Sequence, residues 1–155
     1  MQTMNAKDAI SASQAECYVT IEGNRYNLMQ AINLEAKVEK TKSEIPILGK
    51  TGKGNKTTGW KGSGSATFHY NSSIFRELLY RYKETGDDVY FDIQITNEDK
   101  GATVGRQTIV LKDCNVDGGL LAKFDADAEY LEDEMDFTFE DWEMPETFTE
   151  LPGMR

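Results

Sequence analysis

The chain has 155 residues, 39% of them hydrophobic, which suits one domain with a real core and excludes wholesale disorder. No apolar run exceeds a few residues, so no membrane span is expected, and the start MQTMNAKDAISASQAE lacks the pattern of a secretory signal. A net charge of −10 argues against a protein that coats nucleic acid, and two cysteines, Cys17 and Cys114, are too few for a disulfide scaffold or a metal cluster.

Charge is unevenly spread. Residues 41–70 hold five lysines against the single acid Glu44, a net of +4, whereas residues 125–155 hold twelve acids against Arg155, a net of −11. One basic segment and one acidic tail in a small chain suit head-to-tail association between copies, although two solvated surfaces that never meet would look the same.

In chain order, residues 1–15 are small and polar and read as an extended arm. Cys17, Val19 and Ile21 alternate with Tyr18 and Thr20, the period-two pattern of a half-buried strand. Gly23-Asn24 is a turn signal, and Arg25 to Lys40 reads as a second, longer strand. A helix over 28–40 is the alternative there, since Ala, Leu, Glu and Lys favour helices. Residues 41–65, TKSEIPILGKTGKGNKTTGWKGSGS, read as a long flexible loop. Ile45, Pro46, Ile47, Leu48 and Trp60 place apolar groups on it, which implies burial against something in the working state.

Ala66 to Tyr70 returns as a strand. Ile74, Phe75, Leu78, Leu79 and Tyr82 then recur at helical spacing, with N-cap candidates at 71–73 and Gly86 positioned to close the helix. Val89 to Ile95 alternates cleanly, Val104 to Asn115 reads as a strand, and Asp117-Gly118-Gly119 as a tight turn with Leu120 to Phe124 pairing back. Met135, Phe137 and Phe139 mark the last strand; Trp142 breaks its parity, as a β-bulge would, and the tail from Met144 reads as irregular. The sum is a mainly β fold, an antiparallel barrel or sandwich with one α-helix packed on it.

Chemical motifs are weak. In GKTGKGNKT the glycines Gly49 and Gly54 have phosphate-loop spacing, but Asn55 stands where the lysine belongs. Asp125, Asp127 and Glu129 begin like a calcium loop, yet Tyr130 replaces the required glycine and Asp136 the final glutamate. His69 is the lone histidine and falls in a strand, where a structural role fits. No enzyme activity, cofactor or metal is expected.

The order of arm, hairpin, Gly/Lys-rich excursion, helix and acidic-ended meander resembles the tail tube proteins of contractile phage tails. The stretches that carry it are KVEKTKSEIPILGKTGKGNKTTGWKGSGSATFHYNSSIFRELL and YFDIQITNEDKGATVGRQTIVLKDCNVDGGLLAKFDADAEYLEDEMDFTFEDWE, within roughly residues 5–150. The resemblance implies a β domain over 16–150, flanked by the 1–15 arm and a 151–155 tail, that assembles into sixfold rings stacked as a hollow tube. It implies as partners further copies of the chain, a sheath, initiator and terminator proteins, and DNA only as cargo passing through the lumen. The setting implied is a phage or phage-like tail made in the host cytoplasm. The segment 41–64 matches the family's assembly loop, so the interface candidates are Ile45, Ile47, Leu48, Lys50, Lys53, Lys56 and Trp60. The competing reading is a small nucleic-acid-binding barrel using residues 50–61, with lysines on phosphates and Trp60 stacking on a base.

Overall fold

Alternating side chains build most of the eight antiparallel strands in the computed structural model, which describes residues 1–155. Strands β1 (Ala15–Ile21) and β2 (Asn24–Asn27) form a hairpin that turns at Glu22 and Gly23, with φ of 50° and 82°. The long second strand expected from Arg25 to Lys40 is interrupted. Leu28 is 4% exposed and donates its N–H to the Cys17 carbonyl at 2.9 Å, which turns the chain before β3 (Ala31–Ile45) begins. Residues 31–40 are strand, not helix.

Strand β4 (Gly54–His69) pairs with β3 along its whole length. The segment 41–64, expected as a flexible loop, is therefore mostly a β-ladder, with only residues 46–53 left as its turn. Gly62 and Gly64 in this ladder face the Phe139 and Phe137 rings, which need their lack of a side chain, whereas Gly59 faces open space.

Helix α1 (Ile74–Thr85) ends at Gly86, whose φ of 74° and N–H to the Tyr82 carbonyl at 2.8 Å close it as expected. Phe75 is buried between Phe68 and Phe91, with ring centroids 5.5 and 5.6 Å away. Ile74, Leu78 and Leu79 are half-buried, whereas Tyr82 is exposed and lies off the buried stripe. Arg76, on the same helix, reaches Asp133 at 2.6 Å and lies over the Tyr70 ring.

Strands β5 (Phe91–Glu98), β6 (Arg106–Gly119), β7 (Glu132–Phe139) and β8 (Asp141–Glu146) complete one sheet in the order β2-β1-β5-β6-β7-β4-β3, with β8 also on β6. Its end strands β2 and β3 are consecutive in the chain, joined by residues 28–30, so the sheet curls round without a ladder closing it. The expected barrel is an open one. Within it Val19, Ile93, Cys114 and Phe137 are almost fully buried.

Strand β6 carries the bend. Its first part pairs with β5 and β8 and its last part with β7. At the bend Asp113 takes φ 53° and Glu140 donates its N–H to the Lys112 carbonyl at 3.1 Å. Leu111 and Cys114 thereby both face inward, and opposite them Phe139 is buried while Trp142, paired with Leu111, falls on the same side but stays partly exposed, which accounts for the broken parity at Trp142. The expected turn at Asp117-Gly118-Gly119 lies inside β6, residues 121–124 form no strand, and β8 extends into the tail expected to be irregular.

The first fifteen residues are not a free extended arm. A 3₁₀ turn (Ala6–Asp8) buries Asp8, which accepts from the Thr103 N–H at 2.9 Å and the Thr103 hydroxyl at 2.7 Å. Ser11 donates its N–H to Asp99 at 3.0 Å. From the other terminus, Thr149 donates its N–H to the Val104 carbonyl at 2.8 Å, so both ends of the chain converge on the β5–β6 loop.

Candidate functional site: the projecting β3–β4 arm

Strand β4 has two halves with different surroundings. Gly62 to His69 lies between β3 and β7, whereas Gly54 to Lys61 pairs with β3 alone. The split occurs where β7 gives way to β8 and the chain follows β6 instead. Eight residues at about 3.3 Å each make a two-stranded arm roughly 26 Å long beyond the sheet. A lone two-stranded ribbon is only marginally stable in water, because neither face is covered.

Cross-strand pairing dictates the faces of the arm's root. Leu34, Ala36 and Val38 pair with Ala66, Gly64 and Gly62, and these in turn with Met135, Phe137 and Phe139. The opposite face carries Glu35, Lys37, Glu39, Lys61, Ser63 and Ser65, so the root is amphipathic. On the apolar side an open groove of about 240 Å³ runs between the arm and the rest of the sheet, walled by Leu34, Val38, Ile95, Ile109, Phe139 and Trp142. These residues were not among the interface candidates; the alternation from Asn33 to Glu39 was the signal for part of them, but their partners on β5, β6, β7 and β8 are remote in sequence.

Farther out, an extra residue at Thr58 shifts the register between Thr41 and Lys42, and the Thr58 hydroxyl donates to the Thr41 carbonyl at 3.2 Å. The turn holds Gly49 at φ 83° and a Lys50 N–H to Ile47 carbonyl bond of 3.1 Å. Ile47 folds over Gly54 so closely that a Cβ there would lie 2.9 Å from its Cδ1. Leu48 is fully exposed, and Ile45 and Ile47 are 40% and 41% exposed. Of the three lysines Lys50, Lys53 and Lys56, only Lys53 meets a carboxylate, Glu44 at 3.8 Å.

The structure thus gathers Ile45, Ile47, Leu48, Lys50 and Lys53 at one tip, with Lys56 two residues into β4. Trp60 is separated from them. It pairs with Lys40 near the root, and its ring centroid lies 6.3 Å from that of Phe139. Trp60 and the tip lysines therefore occupy different stretches of the arm, so the groups the nucleic-acid reading needs are not gathered in one place.

No helix is long and apolar enough to cross a membrane. The side chains of the arm offer apolar contact and charge, and its backbone offers strand edges unpaired within the chain, which is the chemistry of association.

The family is shown by similarity to known proteins. A family profile described as phage tail tube protein matches residues 2–146. The chain is 36% identical over 147 residues to the phage-like element PBSX protein XkdM of Bacillus subtilis (strain 168), covering 95% of this chain and 97% of that one. In fold it is similar to a chain of the sheath-tube complex of the extracellular contractile injection system PVC in its extended state, with TM-score 0.67, 10% identity, and 90% and 93% of the two chains covered. A chain of the SPP1 tail tube gives TM-score 0.61 at 8% identity, covering 88% of this chain and 78% of that one. By its match across nearly all of its length, this chain belongs to the phage tail tube protein family.

Proposed function

We propose that this tube subunit polymerises as sixfold rings stacked into the hollow inner tube of a contractile phage-like tail, with the β3–β4 arm as the joint between copies. The observation that carries the reading is the arm itself: beyond Gly62 it hydrogen-bonds to no other strand of its own chain and ends in exposed Ile45, Ile47 and Leu48. Fully burying a side chain of that kind is worth about 1.5–3 kcal/mol, and a second copy would supply the missing surface. Exposed ion pairs add only about 0–1 kcal/mol each, so apolar contact and edge pairing give affinity while the lysines choose the partner.

A sheath around the tube, initiator and terminator proteins at its ends, and DNA passing through the lumen belong to the same proposal, as do a structural, non-enzymatic role and synthesis in the host cytoplasm. The fold similarity to a sheath-tube complex supports this setting. A repeated heterologous contact closes into a ring or continues as a filament according to its rotation, and a stacked tube uses both kinds. Electron microscopy of the purified, concentrated chain tests the proposal: rings or hollow tubes are expected, and dispersed subunits at every concentration would contradict it.

A further inference from the structure

The loop joining β6 to β7, residues 120–131, is held at both ends and open between them. The Leu120 N–H donates to the Glu134 carbonyl at 3.1 Å, and the Tyr70 N–H to the Leu131 carbonyl at 3.2 Å. A turn at Asp125, whose carboxylate accepts from the Asp127 N–H at 3.0 Å, shapes its middle. Yet Leu121, Phe124 and Tyr130 are 77%, 93% and 60% exposed. Single exposed apolar residues are ordinary, but three fall within this one short loop, Tyr130 with its ring 5.6 Å from that of His69. Asp125, Asp127 and Glu129 are interleaved with them, opposed only by Lys123.

This composition mirrors the arm's tip, where Ile45, Ile47 and Leu48 stand among Lys50, Lys53 and Lys56. Topology keeps the two apart within one chain. Strand β4 runs from Gly54 at the tip to His69, and His69 pairs with Glu132, the residue just after the loop. The loop therefore emerges at the opposite end of β4, roughly 50 Å from the tip at about 3.3 Å per residue. A basic apolar knob and an acidic apolar patch at opposite ends of one molecule can meet only between copies.

We propose that the 120–131 loop is the socket that receives the arm tip of a second copy stacked head to tail, with Ile47 and Leu48 against Leu121 and Phe124 and the lysines facing Asp125, Asp127 and Glu129. This rests on the arm being a joint and adds where it lands. The charge arrangement also fixes polarity, since tip against tip and loop against loop would each oppose like charges.

Charge reversal tests the pairing. The tip variant Lys50→Glu, Lys53→Glu, Lys56→Glu and the loop variant Asp125→Lys, Asp127→Lys, Glu129→Lys should each lower the pelletable tube fraction by roughly tenfold at low salt. A chain carrying all six changes should recover tubes. Recovery supports the socket. Loss of tubes in the tip variant but not the loop variant overturns it while leaving the arm as joint, and absence of tubes from the unaltered chain instead overturns the assembly reading. Circular dichroism checks that each variant folds. Independently, Leu48→Cys with Phe124→Cys, in a Cys17→Ser background, should give oxidised ladders of linked copies; tubes without ladders would also overturn the socket.

Discussion

The ring of Phe139 lies against Gly62, its cross-strand partner, in the space a Cβ on that residue would occupy. Phe137 covers Gly64 in the same way, and a Cβ on Gly64 would also stand 2.7 Å from the Glu35 carbonyl oxygen. The two glycines let aromatic side chains from β7 fold flat across the root of the arm, which fixes the arm to the sheet.

Gly62→Ala should therefore cost about 1–3 kcal/mol through overpacking. Gly59→Ala, with nothing within 4 Å of its Cβ, should change stability by less than about 0.5 kcal/mol. Urea unfolding of both variants checks this, and equal effects would contradict the role assigned to Phe139.

Arg76 joins the helix to β7. Its guanidinium meets Asp133 at 2.6 Å, with both side chains about 15% exposed, and also donates to the Ser72 carbonyl at 2.6 Å. Arg76→Ala leaves the carboxylate without its partner and should lower stability by about 2–4 kcal/mol. An unchanged urea midpoint would show the pair to be incidental.

These two contacts show where the sequence was legible and where it was not. Helix α1 could be read because Ile74, Phe75, Leu78 and Leu79 repeat locally, and β5 because Phe91, Ile93 and Ile95 alternate. Gly62 and Gly64 looked like breakers because their reason for being small, Phe137 and Phe139, lies more than seventy residues away. Asp117-Gly118-Gly119 looked like a turn for the same cause: its pairing with Met135 and Asp136 is non-local. The tip residues from Ile45 to Lys53 were legible as exposed apolar and basic groups, but the groove beside Trp142 was not, since five separate strands wall it.

Acid should loosen both termini. The backbone N–H of Thr103, then its hydroxyl, hold the Asp8 carboxyl below the usual range, and Arg106, then Thr108, do the same for Glu146. Groups with lowered folded pKa contribute stability that is present above the ordinary carboxylate value of about 4. That contribution is lost as pH falls through the lowered values. Asp8→Asn should reduce stability at pH 7 while flattening the acid limb of the stability profile, measured by thermal unfolding from pH 7 to 3. A profile parallel to that of the unaltered chain would contradict the Asp8–Thr103 clamp.

Salt separates the two components of the joint. Exposed charges are screened over about 8 Å at physiological ionic strength, so Lys53→Ala should weaken assembly modestly and only at low salt. Leu48→Ala should weaken it at all salt concentrations, because apolar burial is not screened, and Trp60→Ala should exceed Lys53→Ala, as buried aromatic anchors outweigh rim charges. Critical concentrations from pelleting assays give the ranking; a Lys53 effect as large as that of Trp60 would reverse the assignment.

The central claim is that the arm beyond Gly62 completes its fold only on another copy. Its most direct measurement is sedimentation of a chain in which residues 43–56 are replaced by an Asn-Gly turn, joining Lys42 to its partner Thr57. The account predicts a folded subunit that forms no tubes at concentrations where the intact chain does. Tubes of normal length from the shortened chain would contradict it.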